Sequence, residues 1–96
     1  MPRYLIERTF DDMDEEELSQ VGQRSADIIR AEFPEITWEH SHVVVDTEGT
    51  VKSYCVYAGP DEETIRKHAK MLGRHEVGSI YEIGGDISPK DFPPIN

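Results

Sequence analysis

An α+β sandwich, one four-stranded antiparallel sheet with two helices on one of its faces, is the fold class this sequence predicts. Three observations point to it. Four segments rich in β-branched and aromatic residues are separated by two stretches whose apolar residues recur at helical spacing. They follow in the order β-α-β-β-α-β, the split ferredoxin-like unit, whose right-handed connections bring both helices to the same side. A chain of 96 residues, 36% hydrophobic, can fill one core and not a second.

The first strand is Arg3 to Phe10. Tyr4, Ile6, Arg8 and Phe10 point one way; Leu5, Glu7 and Thr9 point the other. The acidic stretch from Asp11 to Glu17 opens a helix, with Asp11 or Asp12 as cap and carboxylates suited to the positive end of the helix dipole. It lacks the alternating oxygens and central glycine of a calcium loop, so it reads as a solvated helix start. Leu18, Val21, Ser25, Ile28, Ile29 and Phe33 form the buried stripe; Gly22 beside it allows close approach to the sheet, and Pro34 ends the helix. Ile36 to Asp46 is the second strand, Thr47–Thr50 a hairpin turn with Gly49 at positive φ, and Val51 to Ala58 the third strand. Pro60 precedes the cap Asp61 of the second helix, which carries Ile65, His68, Ala69 and Leu72 on one side and stops at Gly73. Ser79 to Ile83 is the fourth strand. The domain is taken as 1–88, with 89–96 an extended C-terminal arm rich in proline.

Ten basic against twenty acidic residues leave a net charge of −10. Such a surface repels phosphate backbones and anionic lipid, so neither nucleic acid nor a membrane is an expected partner, while cations are. RNA-recognition domains share the element order, but their basic-glycine-aromatic signature is missing. The single cysteine, Cys55, has no partner for a bridge. With an N-terminus unlike a signal peptide and no apolar run of the ~20 residues that span a bilayer, it indicates a cytoplasmic protein. Phosphate loops, Ser/His/Asp motifs and Cys-x-x-Cys pairs are absent. The sheet face without helices calls for a cover on so small a domain, which implies a homodimer in a dimeric α+β barrel-like assembly.

Period two along the second strand sets Trp38, His40, His42 and Val44 on one face and Glu39, Ser41, Val43 and Val45 on the other. Histidines at i and i+2 of a strand stand ~7 Å apart, near enough to share a metal or a small anion. On the open face they would meet Glu7, whose carboxylate could fix one imidazole's tautomer. The plainer reading is of two polar residues on a half-exposed strand. Cys55 reads as a small core hydrophobe, His75 as solvated, and Arg8 as paired with a carboxylate such as Asp27 or facing an anionic substrate, pairing being the simpler. The candidate ligand-binding set is Glu7, Trp38, His40, His42 and Tyr57. It serves either a homodimeric binding protein holding a divalent transition metal or a small ligand on the open face, or a small enzyme. In the enzyme a Glu7–His40 pair acts as general base on a substrate lodged over Trp38 and Tyr57. No catalytic residue is assigned.

Three segments in order, Arg3-Tyr4-Leu5-Ile6-Glu7-Arg8-Thr9-Phe10, Thr37-Trp38-Glu39-His40-Ser41 and Tyr54-Cys55-Val56-Tyr57-Ala58-Gly59-Pro60, the last running into a helix with His68, resemble a family of small bacterial proteins. This is a ferredoxin-like family of unknown function that includes an actinobacterial nickel-binding dimer. The likeness extends to about Ile83 and implies a dimeric α+β domain with a transition-metal site, for nickel or zinc, adding His68 to His40 and His42 as metal ligands. The nickel-binding branch carries histidines on the first strand and a His-x-x-Asp element on the first helix. Here Arg8 and Thr9, and Arg24 preceding Asp27, stand at those positions, while Asp27 and His68 are kept. Arginine has no lone pair for a metal. The chain thus resembles a sister branch of the family, in which that site is lost.

Overall fold

The computed structural model describes residues 1–10 and 13–95. The predicted order holds: β1 (Arg3–Phe10), α1 (Glu15–Glu32), β2 (Thr37–Val45), β3 (Val51–Ala58), α2 (Glu62–Leu72) and β4 (Glu76–Glu82). The strands form one sheet in the order β2-β3-β1-β4, every neighbouring pair antiparallel. Both helices pack on one face. The alternation read in β1 is borne out, with Tyr4, Ile6, Arg8 and Phe10 buried under the helices and Leu5, Glu7 and Thr9 half-buried on the open side.

Asp14 caps α1, its side chain accepting from the Glu17 amide at 2.8 Å; Asp11 and Asp12 lie outside the described residues. Asp61 caps α2 in the same way, accepting from the Thr64 amide at 2.8 Å, and Gly73 ends it at φ 62°. Gly49 holds the β2–β3 turn at φ 83°, as the turn sequence predicts. Strand β4 begins at Glu76, three residues before the predicted start. Its early part is concealed in sequence by Gly78, where a Cβ would collide with the Glu7 side chain. Gly22 departs from expectation too: a Cβ there meets nothing within 4 Å, so no close approach to the sheet requires it.

The core has two parts. Tyr4, Ile6, Ile29, Ile36, Tyr57 and Ile65 fill the middle, and Phe10, Val21 and Leu72 close one end. The Cα radius of gyration is 15.1 Å, against about 12.5 Å for a compact chain of this length. The tail beyond β4 holds one 3₁₀ turn, Pro89–Asp91, and leaves Ile87, Phe92 and Ile95 exposed. No described helix is long and apolar enough to cross a membrane.

Candidate functional site

Antiparallel register builds two rows across the open face. His42, Tyr54 and Glu7 stand side by side on β2, β3 and β1; the next row runs His40, Val56, Leu5 and Tyr81. Glu7 therefore shares a face with both imidazoles. Its hydrogen bond goes elsewhere: the Tyr54 hydroxyl donates to Glu7 Oε2 at 2.9 Å, which, with burial, pushes the Tyr54 pKa up. Glu7 is thus not the partner of His40 expected of a general-base pair. The His40 and His42 rings are exposed and meet edge to face, centroids 5.3 Å apart and planes at 75°.

Trp38 is not with them. The β2–β3 register slips by one residue between Trp38 and His40, and a bulge at that point inverts the alternation. Trp38, Ser41 and Val43 accordingly sit opposite Tyr57, Cys55 and Ser53, whose partners on β1 are the helix-side residues Tyr4, Ile6 and Arg8. The Trp38 ring stacks on Tyr57 with centroids 6.1 Å apart and donates from Nε1 to Ser41 Oγ at 2.9 Å. Arg3 fastens the displaced Glu39 with two bonds of 2.7 and 2.9 Å and reaches Asp86 of the tail at 2.6 Å. Those two hydrogen bonds from Arg3 hold the Glu39 carboxyl below its usual range. The predicted ligand set is divided by the sheet: Glu7, His40 and His42 on the open side, Trp38 and Tyr57 on the other. No single chamber gathers them, and the substrate position over Trp38 and Tyr57 is out of reach of Glu7.

His68 also belongs to the helix side. It projects from α2 into the core, fully buried, with Nε2 3.2 Å from Ser25 Oγ and its ring against Tyr57 and Phe33. It cannot join His40 and His42 around one ion. Burial, aided by the nearby Arg8 charge, lowers its pKa to about 4, so it is neutral at pH 7. Arg8 is 2% exposed. Its Nη1 donates to His75 Nε2 at 2.9 Å and its Nη2 to the Tyr57 hydroxyl at 3.2 Å, while Nε has no partner. Since arginine only donates, His75 must accept at Nε2 and carry its proton on Nδ1, which donates to the Gly73 carbonyl at 2.6 Å. Burial lowers the His75 pKa, in keeping with this neutral tautomer, and pushes that of Tyr57 up to about 12. No carboxylate among the described residues pairs with Arg8. Asp27 is on the outer side of α1, bonded to Arg30 at 2.6 Å and Gln23 at 3.1 Å.

This inner cluster of Arg8, Tyr57, His68, Ser25 and His75 escapes the reading of motifs, which took His75 as solvated. The signal for it was present in two places: Arg8 at the buried phase of β1, and Ser25 in the apolar stripe of α1. Cys55 is buried beside it, as predicted, 3.3 Å from Ser53 Oγ.

As for a metal, two imidazoles bound at ~2.1 Å to one ion stand with centroids roughly 4.5–5 Å apart. The His40 and His42 centroids, 5.3 Å apart, lie just above that range. Among the described residues no group of three or more His, Cys, Asp or Glu comes together to hold an ion. One chain thus offers two donors of an incomplete set.

A family model described as "Nickel responsive protein SCO4226-like" matches residues 4–83. Among solved structures, SCO4226 from Streptomyces coelicolor A3(2) superposes with a TM-score of 0.67 at 19% identity, covering 88% of this chain and 99% of that one. No curated protein shows a significant sequence match. The family match ends where the exposed C-terminal tail begins.

Proposed function

Because the chain belongs to the SCO4226-like nickel responsive protein family, we propose that it is a small homodimeric binding protein. Its open sheet faces meet, and a divalent transition metal, nickel by class, is held by His40 and His42 with donors from the second copy. The observation that carries this reading is the exposed His40–His42 pair, whose spacing suits two ligands of one ion but lacks a third. Two further features support it. The open face leaves Tyr81 61% exposed and Val44 37% exposed, and the tail leaves Phe92 67% exposed, apolar surface that a second copy would cover. The net charge of −10 favours a cation.

When bound, the ion would act as a structural or sensed ligand. Tyr54 occupies Glu7, and the pair braces the row in which His42 stands.

Sedimentation and nickel titration of the whole chain test the reading together. A dimer that takes up nickel, with uptake abolished in the His40→Ala/His42→Ala double variant and the circular dichroism unchanged, is the expected result. A chain that stays monomeric at high concentration with nickel present, or uptake that survives the double substitution, overturns it.

A further inference from the structure

We propose that the space between α1 and the β2–β3 hairpin is a binding pocket for a small organic carboxylate, anchored by the Arg8 guanidinium. The cavity measures about 140 Å³ and is walled by Val21, Leu72, Trp38, Val43, Ser53 and Arg8. Its size matches that of an apolar cavity of roughly 150 Å³ known to admit benzene.

The charge of Arg8 makes the case. Arginine remains protonated at any ordinary pH. A buried cation without an anion is costly, because its desolvation is not offset. Here the described partners are all neutral: His75 accepts through a lone pair, Tyr57 holds its proton, and the Tyr57 ring lies 5.4 Å from the guanidinium carbon. Two of the five N–H groups are engaged and Nε is orphaned, although it is shielded from water. A carboxylate entering from the cavity would supply the missing charge and, once the Arg8 side chain turns its Nε edge toward the cavity, accept from Nε and one Nη in the planar geometry guanidinium favours.

The remainder of the wall selects the ligand's body. Trp38, Val21, Val43 and Leu72 offer apolar surface to a ring or a short branched chain, which an inorganic oxyanion would not use. Val43, 54% exposed, marks the solvent side. The pocket lies across the sheet from His40 and His42, so it neither requires nor excludes a metal there.

Benzoate and its uncharged analogue benzamide, titrated into the full chain, test the proposal. Trp38 is the one tryptophan and lines the pocket, so its fluorescence reports occupancy. Millimolar benzoate should shift the emission and raise the urea midpoint, with benzamide weaker by about tenfold or more, as expected for loss of a charged hydrogen-bonding partner. Arg8→Met should remove benzoate binding. Gly22→Leu should block it with Arg8 intact, since Gly22 borders the cavity and a side chain there meets open space. The proposal is overturned if wild-type protein ignores benzoate, if benzamide binds equally well, or if binding persists in either variant.

Discussion

His40 and His42 stand exposed on one face of the sheet with their rings 5.3 Å apart, whereas on the other face His68 is fully buried and His75 half-buried beside a guanidinium. The same residue type has been put to opposite uses. On the open face water still solvates the imidazoles, and no side-chain hydrogen bond among the described residues engages their lone pairs. On the helix face the rings are neutral core components, one lone pair committed to Arg8 and one ring wedged between α1 and β3. Among the described residues both faces lack something: the open one a third donor, the inner one an anion. Burial, more than residue identity, decides which histidine can serve a ligand.

The contrast is greatest between neighbouring residues of β1. Ile6 is wholly buried on the helix side and Leu5 half-buried on the open side. Ile6→Ala should cost roughly 2–5 kcal/mol in urea unfolding at any protein concentration. Leu5→Ala should cost less in dilute solution, with the deficit growing as concentration rises, because a second copy would cover that residue. A concentration-independent Leu5→Ala effect would show that nothing docks on the face.

Next in size is the acid response of the inner cluster. His68 has a folded pKa of about 4, below the ~6.5 of an unfolded histidine. Between those values the unfolded chain binds the extra proton, so stability is fully present above about pH 6.5 and falls as pH drops toward 4. The loss is of order 2–3 kcal/mol. His75 shifts in the same direction and adds to it. His68→Met should flatten this limb in urea denaturation across pH, since methionine takes up no proton.

The smallest effect concerns Gly22. With open space where its Cβ would be, Gly22→Ala should stabilise the fold by about 0.5–1 kcal/mol through helix propensity alone. A loss on thermal unfolding would mean that α1 approaches the sheet more closely than the cavity beneath it implies.

How far the sequence discloses all this depends on the segment. Strand β1 is legible because its helix side carries Tyr4, Ile6 and Phe10 in strict alternation, which also marks Arg8 as an inward residue. Strand β2 is not: Thr37 to His42 hold one large apolar residue, and the one-residue slip after Trp38 leaves no mark in composition. That slip separated Trp38 from the imidazoles. The shared face of Glu7, His40 and His42 was readable, since both histidines follow the bulge and keep their own period of two. What Glu7 bonds to was not, because Tyr54 becomes its neighbour only through register between strands 47 positions apart. The contacts of His75 and Arg8 span 67 positions and obey no local pattern.

On this reading the sheet separates two imidazoles free to take a metal, His40 and His42, from two that are committed to the core, His68 and His75. Paramagnetic nickel titrated into isotopically labelled protein tests it directly by nuclear magnetic resonance. Signal loss should begin at His40 and His42, spread to Tyr54, and spare His68 and His75. Broadening centred on His68 or His75, or no broadening at His40 and His42, would contradict it.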